Sequence, residues 1–245
     1  MSFTNSPLVT YTNITKNKTA NRNHAIDTIT IHCIVGQWTA KQGCDYFATT
    51  NRKCSANYVV GKDGSIGLSV EEKDRSWCSS NAANDHRAIT IEVASDTKEP
   101  YAVTDKAYNA LIQLIADICK RNNIKELKWK ADQSLIGQVD KQNMTVHRWF
   151  AKKSCPGEYL YSRHGDIASK VNAILTAKLA PTSALKVGST VRLKKGAKTF
   201  QGGNLASFVY ERDHQVKEIN IDRVVITYNK IVVAAVRKSD LIVVN

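Results

Sequence analysis

No apolar run in this chain of 245 residues approaches the ~20 that a membrane-spanning helix needs, so insertion into a bilayer is not expected. The opening stretch, "MSFTNSPLVTYTNITKNKTANRNH", is polar and lacks the apolar centre of a secretory signal. The expectation is a chain made in the cytoplasm that does not leave by that route. There is no internal repeat, no block of like charge and no C-x2-C pair. The six cysteines, at 33, 44, 54, 78, 119 and 155, are therefore not read as a disulfide framework. Most are expected to be small buried apolar residues, Cys119 in "LIQLIADICKR" above all.

What is present is enough apolar material for a real core, 42 % of residues, and a formal net charge of +13. A basic balance suits polyanionic partners: nucleic acid, anionic lipid or an anionic cell wall. Nucleic acid has no support beyond the charge, since no aromatic–basic interleaving accompanies it.

Two parts are visible. "TITIHCIV" (28–35) and "AITIEVAS" (88–95) alternate as strands do, with His32 and Glu92 on the faces opposite Ile29, Ile31 and Ile89, Ile91. "ANYVVGKDGSIGLSV" (56–70) predicts strand, turn, strand. Residues 104–123 predict an amphipathic helix with an N-cap threonine and apolar positions at 111, 114, 115 and 118. Shorter helices are expected over 39–50 and 166–179. Interleaved strands and helices make this part α/β or α+β. After "TAKLAPTSALKVG" (176–188), which reads as a linker, the tail is rich in Val, Ile, Thr and aromatic residues with Gly and Asn punctuation. That pattern predicts several short strands in a small barrel. Residues 186–245 carry 11 Lys and Arg against 5 Asp and Glu, making the tail the more basic part per residue. Its aromatics, Phe200, Phe208, Tyr210 and Tyr228, could line a groove, but core positions are expected for most of them.

A histidine and a carboxylate in the middle of two similar strands suggest one polar pocket, because a buried carboxylate is costly unless paired or solvated by a cleft. "MTVH" reads as a strand ending at His147, and "AKKSCPG" as a loop carrying Cys155. His32, His147 and Cys155 would supply the three protein ligands of a catalytic zinc site. Glu92 could then move protons, and Lys153, two before Cys155, could face a developing oxyanion. The rival is a Cys155–His147 nucleophile pair. It leaves His32 and Glu92 without roles, whereas the metal reading uses all of them.

At these residues the chain resembles the zinc-dependent N-acetylmuramoyl-L-alanine amidases, in particular endolysins of the amidase-2 type, related to the peptidoglycan recognition proteins. The resemblance covers residues 25 to 175 and rests on "TITIHCIV", "SANYVVGKDGSI", "AITIEVAS" and "TVHRWFAKKSCPG". It implies a central mixed sheet flanked by helices, one zinc ion on His32, His147 and Cys155, and catalytic roles for Glu92, Lys153 and Tyr58. It also implies substrate contacts at Trp77 and Asn57. Two departures stand out: Cys33 where many relatives have threonine after the first ligand, and "WCSS" (Trp77 to Ser80) where many have W-H-A-G. The tail resembles the bacterial SH3-like barrels of endolysins. The implied organisation is a catalytic domain over 1–178, a linker over 179–186 and a wall-binding domain over 187–245. The implied partner is bacterial peptidoglycan, with anionic wall polymers as a further one, reached after release from the cytoplasm of a phage host. A non-catalytic peptidoglycan-binding protein on the same fold is the alternative. Such relatives typically lack the cysteine ligand.

Overall fold

The structure, a computed structural model, describes residues 3–176 and 185–244. The chain divides into two compact units, Met1–Thr176 and Ala177–Asn245. The expected linker at 179–186 lies, up to residue 184, outside the described residues.

The first unit runs β1 (Tyr11–Thr12), β2 (Lys18–Thr19), β3 (Thr28–Val35), α1 (Ala40–Thr49), β4 (Tyr58–Val60), β5 (Ile66–Leu68), β6 (Arg75–Ser76), α2 (Ala82–Arg87), β7 (Ala88–Ser95), α3 (Asp105–Arg121), β8 (Met144–Val146), α4 (Gly157–Tyr161) and α5 (His164–Thr176). Six of the strands form one sheet in the order β1-β5-β4-β7-β3-β8. The centre is parallel, with β3 between β7 and β8 and β4 on the far side of β7; β4 and β5 are antiparallel. This is the mixed α/β fold expected from the sequence. The two long strands coincide with the alternating segments 28–35 and 88–95.

One face of the sheet is closed by α3 and α5. Leu111, Leu114, Ile115 and Ile118 of α3 are fully buried against Ile29, Ile31, Ile89 and Ile91. Each such side chain contributes roughly 1.5–3 kcal/mol of burial free energy. Thr104 caps α3 by accepting from the Ala107 amide, which fixes where the helix starts. The opposite face is covered in part by α1, entered through a reciprocal Thr39–Gln42 capping box and packed through Cys44 and Phe47 on Val59. Gly67 allows that approach: a Cβ there would stand 2.5 Å from the Cys44 sulfur.

The second unit holds β9 (Thr190–Leu193), α6 (Ser207–Tyr210), β10 (His214–Asn220), β11 (Arg223–Tyr228), β12 (Ile231–Arg237) and β13 (Leu241–Val243). They form a five-stranded antiparallel sheet in the order β12-β11-β10-β9-β13, around a core that includes Val191, Val224, Ile226 and Val236. The all-β character agrees with the sequence. The expected barrel is not closed among the described residues, since the edge strands β12 and β13 do not pair with each other. The aromatics also differ from expectation. Tyr210 packs against the core, but Phe208 and Tyr228 are exposed, with the Arg212 guanidinium over both rings.

Candidate active site

His32 and Glu92 sit opposite each other in the parallel β3–β7 register, so both side chains leave the sheet on the face away from α3. β8 pairs with β3 only as far as Val146–Ile31, and His147 follows at once, at the carboxyl end of its strand. Open α/β sheets place ligands at that end of their strands. The His32 and His147 rings are 5.1 Å apart, edge to face. The loop before α4 returns Cys155, whose Sγ lies 3.4 Å from His32 Nδ1. One ligand atom from each of His32, His147 and Cys155 fits within 4.8 Å of the others.

The same face carries more polar residues, and most are matched. Thr30 and Thr145 hydroxyls lie 2.7 Å apart, and the Asn84 amide bonds both. Thr90 bonds Ser76 and the Asn57 amide oxygen. This layer is closed from above by the segment 71–87. Arg22 holds that segment by donating to the carbonyls of Glu72, Asp74, Asp85, His86 and Ala88. On the two central strands of this layer, two buried atoms have no partner, His32 Nε2 and Glu92 Oε2; Ser69 Oγ, next to Asn57, also lacks one. Leaving such groups unpaired costs about 1–3 kcal/mol each. That cost at one end of a satisfied network marks a functional site.

Burial, and secondarily His147, push His32 well below the usual histidine range. Burial also lowers His147, against Asp85, with Lys153 adding to the lowering. Both rings are therefore neutral near pH 7, the state in which imidazole binds a metal. The Cys155 thiol is pushed up by its contact with the Cys33 thiol and by burial. Burial raises the Glu92 carboxyl to about 7, near the value suited to taking up and returning a proton. The donor set of two neutral imidazoles and a thiol suits zinc, and the residues present fit that ion.

The other expected site residues divide. Lys153 is exposed on the loop beside His147. Trp77 lines the cleft, an opening of about 320 Å³ whose walls include Trp38, Tyr46, Arg52, Glu92 and His147. Its indole N–H is taken by Thr19. Tyr58 is a correction. It pairs with Ile91, not Glu92, so strand alternation turns it to the α3 face. There it is fully buried, accepting from the Ser6 amide and donating to Glu72. Asn57 is a second correction: it is buried, and its amide is used up by Thr90 and by carbonyls of the 70–74 segment. It holds the scaffold and does not reach the cleft. Sequence reasoning missed Ser80, whose hydroxyl lies 3.1 Å from His147 Nε2, and Cys78, whose Sγ lies 3.8 Å from Glu92 Oε1. The "WCSS" departure was the available signal for both.

A buried and a half-buried histidine, a thiol and a carboxyl, gathered at the carboxyl ends of parallel strands, make a donor set for a divalent metal with a proton-transfer group beside it. The chain belongs to the N-acetylmuramoyl-L-alanine amidase family Amidase_2, which it matches over residues 22–158, more than half its length. Among solved structures it is similar to a selenomethionine AmpD derivative, at 18% identity and TM-score 0.51, covering 69% of this chain and 99% of that one. It is also similar to the endolysin N-acetylmuramoyl-L-alanine amidase LysCS from Clostridium intestinale URNW, at 17% identity and TM-score 0.47, covering 68% and 96%. PlyL stands at 17% identity and TM-score 0.49, covering 66% and 95%. No curated protein matches the chain in sequence.

Proposed function

We propose that this protein is an endolysin: a zinc-dependent hydrolase that cleaves the amide between the lactyl group of N-acetylmuramic acid and the L-alanine of the stem peptide. The observation that carries the reading is the pair of unpartnered buried atoms, His32 Nε2 and Glu92 Oε2, beside the His32–His147–Cys155 donor set. A zinc ion on those three residues would lower the pKa of a water toward ~7 and polarise the scissile carbonyl.

The chain's own residues do the rest. Glu92 accepts a proton from the attacking water and returns it to the departing nitrogen, so that the L-alanine end leaves as a neutral amine. Lys153 offers its charge to the developing oxyanion from the loop. Trp38, Tyr46 and Trp77 form apolar walls against which a stem peptide and sugar can lie. Tyr58 has no part in this mechanism.

The catalytic part spans 1–178, the linker 179–186, and 187–245 is an SH3-like wall-binding part. Its basic balance favours anionic wall polymers; nucleic acid is not a partner. No helix among the described residues is long and apolar enough to cross a membrane. The protein is made in a phage host's cytoplasm and acts on the wall after release.

The test is digestion of purified Gram-positive peptidoglycan with and without a zinc chelator, followed by mass analysis. Stem peptides with free N-terminal alanine, lost under chelation and restored by zinc, are expected. New reducing sugar ends would refute the chemistry. A wall bound but uncut in both conditions would favour the non-catalytic alternative.

A further inference from the structure

Cys78 has no role in the mechanism above, yet it faces the proton-transfer group. It follows β6, and its backbone N–H is pinned to Asp85 Oδ2 at 3.0 Å, while Asp85 also accepts from the Ser79 amide and hydroxyl. The thiol so held lies 3.8 Å from Glu92 Oε1 and lines the same cleft as His147. His32, Cys78 and Glu92 offer ligand atoms that all lie within 4.8 Å of one another. Two members of this set, fully buried His32 and partly exposed Glu92, each carry a buried atom that lacks a hydrogen-bond partner.

We propose a second divalent-metal seat on His32, Cys78 and Glu92, sharing His32 with the first donor set. An imidazole nitrogen, a thiolate and a carboxylate oxygen suit a borderline-soft cation, zinc or cobalt, over magnesium or calcium. The Cys78 thiol gives its proton to solvent as the ion binds, and with the first donor set filled the remaining N–H of His32 does the same, leaving a bridging imidazolate. Because both seats draw on one imidazole, the second ion binds more weakly than the first. An ion held there occupies Glu92, so excess zinc inhibits the hydrolysis that a single zinc supports. The inhibition rests on the proposed function; the binding does not.

The test is titration of the metal-free full-length protein with cobalt. Thiolate-to-cobalt absorption is followed, and bound metal is counted after gel filtration. The wild type is expected to take up a second, weaker equivalent, and Cys78→Ser to lose it. Cys155→Ser keeps Cys78 native and is expected to retain a thiolate–cobalt band, which the double variant loses. Saturation of the wild type at one equivalent, a retained second equivalent in Cys78→Ser, or no band in Cys155→Ser would overturn the seat. The Cys155→Ser measurement stands even if Cys78→Ser folds poorly. In parallel, excess zinc is expected to slow wild-type digestion severalfold below its own single-zinc rate. Chelator-insensitive digestion would count against the proposed function. Zinc-activated digestion with a single bound equivalent would leave that function standing and remove only this seat.

Discussion

The two faces of the six-stranded sheet are made by the same strands and are both buried, yet they are built on different terms. Toward α3 and α5 stand Ile29, Ile31, Ile89, Ile91 and Tyr58, a closed apolar layer. On the other face stand Thr30, His32, Thr90, Glu92 and Thr145, one residue out of step on the same strands. That face is stabilised by matched hydrogen bonds, except at the His32–Glu92 end. Burial alone does not set the two faces of β3 and β7 apart; the unpaired polarity of His32 and Glu92 does. Since side-chain direction has a period of two, a one-residue difference moves a group between these two worlds.

The strongest way to break the comparison is to remove a donor from the unsatisfied end. Cys155→Ser or His32→Ala is expected to lower peptidoglycan hydrolysis on the order of 10³-fold or more, with the zinc of the first donor set lost in Cys155→Ser and all site-bound zinc lost in His32→Ala. Equal activity in either variant would show that the orphaned atoms have another cause.

Glu92→Gln comes next, with kcat expected to fall about 10²–10⁴-fold while zinc on the first donor set is retained. The same variant carries a stability signature in the metal-free protein. Burial raises this carboxyl from 4.5 to about 7, so the folded chain holds a proton that the unfolded chain releases between those values. Wild-type stability therefore falls as pH rises from about 4.5 through about 7 and is not regained above. Glu92→Gln is expected to gain about 1–3 kcal/mol at pH 8 and nothing at pH 4, read from denaturant melts at both pH values. A pH-independent gain would show that Glu92 is solvated and not part of the buried layer.

Arg22 tests what holds the lid over the matched part of the layer. Its guanidinium is buried, lowered to about 10 by desolvation against Glu72, Asp85 and Asp74, and bonded to five carbonyls. Arg22→Met is expected to cost about 3–5 kcal/mol, because the carbonyls lose a charged donor that no apolar side chain replaces. A loss under ~1 kcal/mol would mean that water takes its place.

Much of this was legible in the sequence because alternation and capping are local. His32 and Glu92 declared themselves as polar residues inside strands, and Thr104 as a helix start. His147 and Cys155 were legible as a strand end and its following loop. What escaped was long-range. The register that sets Tyr58 beside Ile91 depends on how β4 pairs with β7, which no local pattern reports. Asn57 looked like a site residue because its partners, Thr90 and the 70–74 carbonyls, are 13 or more residues away. Cys78 looked like the loss of a histidine, when its sulfur in fact reaches Glu92.

Tyr58 gives the smallest and most discriminating effect. Its hydroxyl bridges the Ser6 amide and Glu72, and Glu72 keeps the Arg121 guanidinium and the Asn122 amide without it. Tyr58→Phe keeps the ring in the apolar layer and removes one buried oxygen. The expected cost is about 1–2 kcal/mol of stability, since the Ser6 amide loses its acceptor while the carboxylate stays paired. Because the residue is on the face away from Glu92, kcat and KM are expected to stay within about twofold of wild type at a temperature where both proteins are folded. A large fall in kcat with unchanged stability would mean that the tyrosine reaches through the sheet to the reaction. The two faces would then be one functional unit instead of two differently built layers.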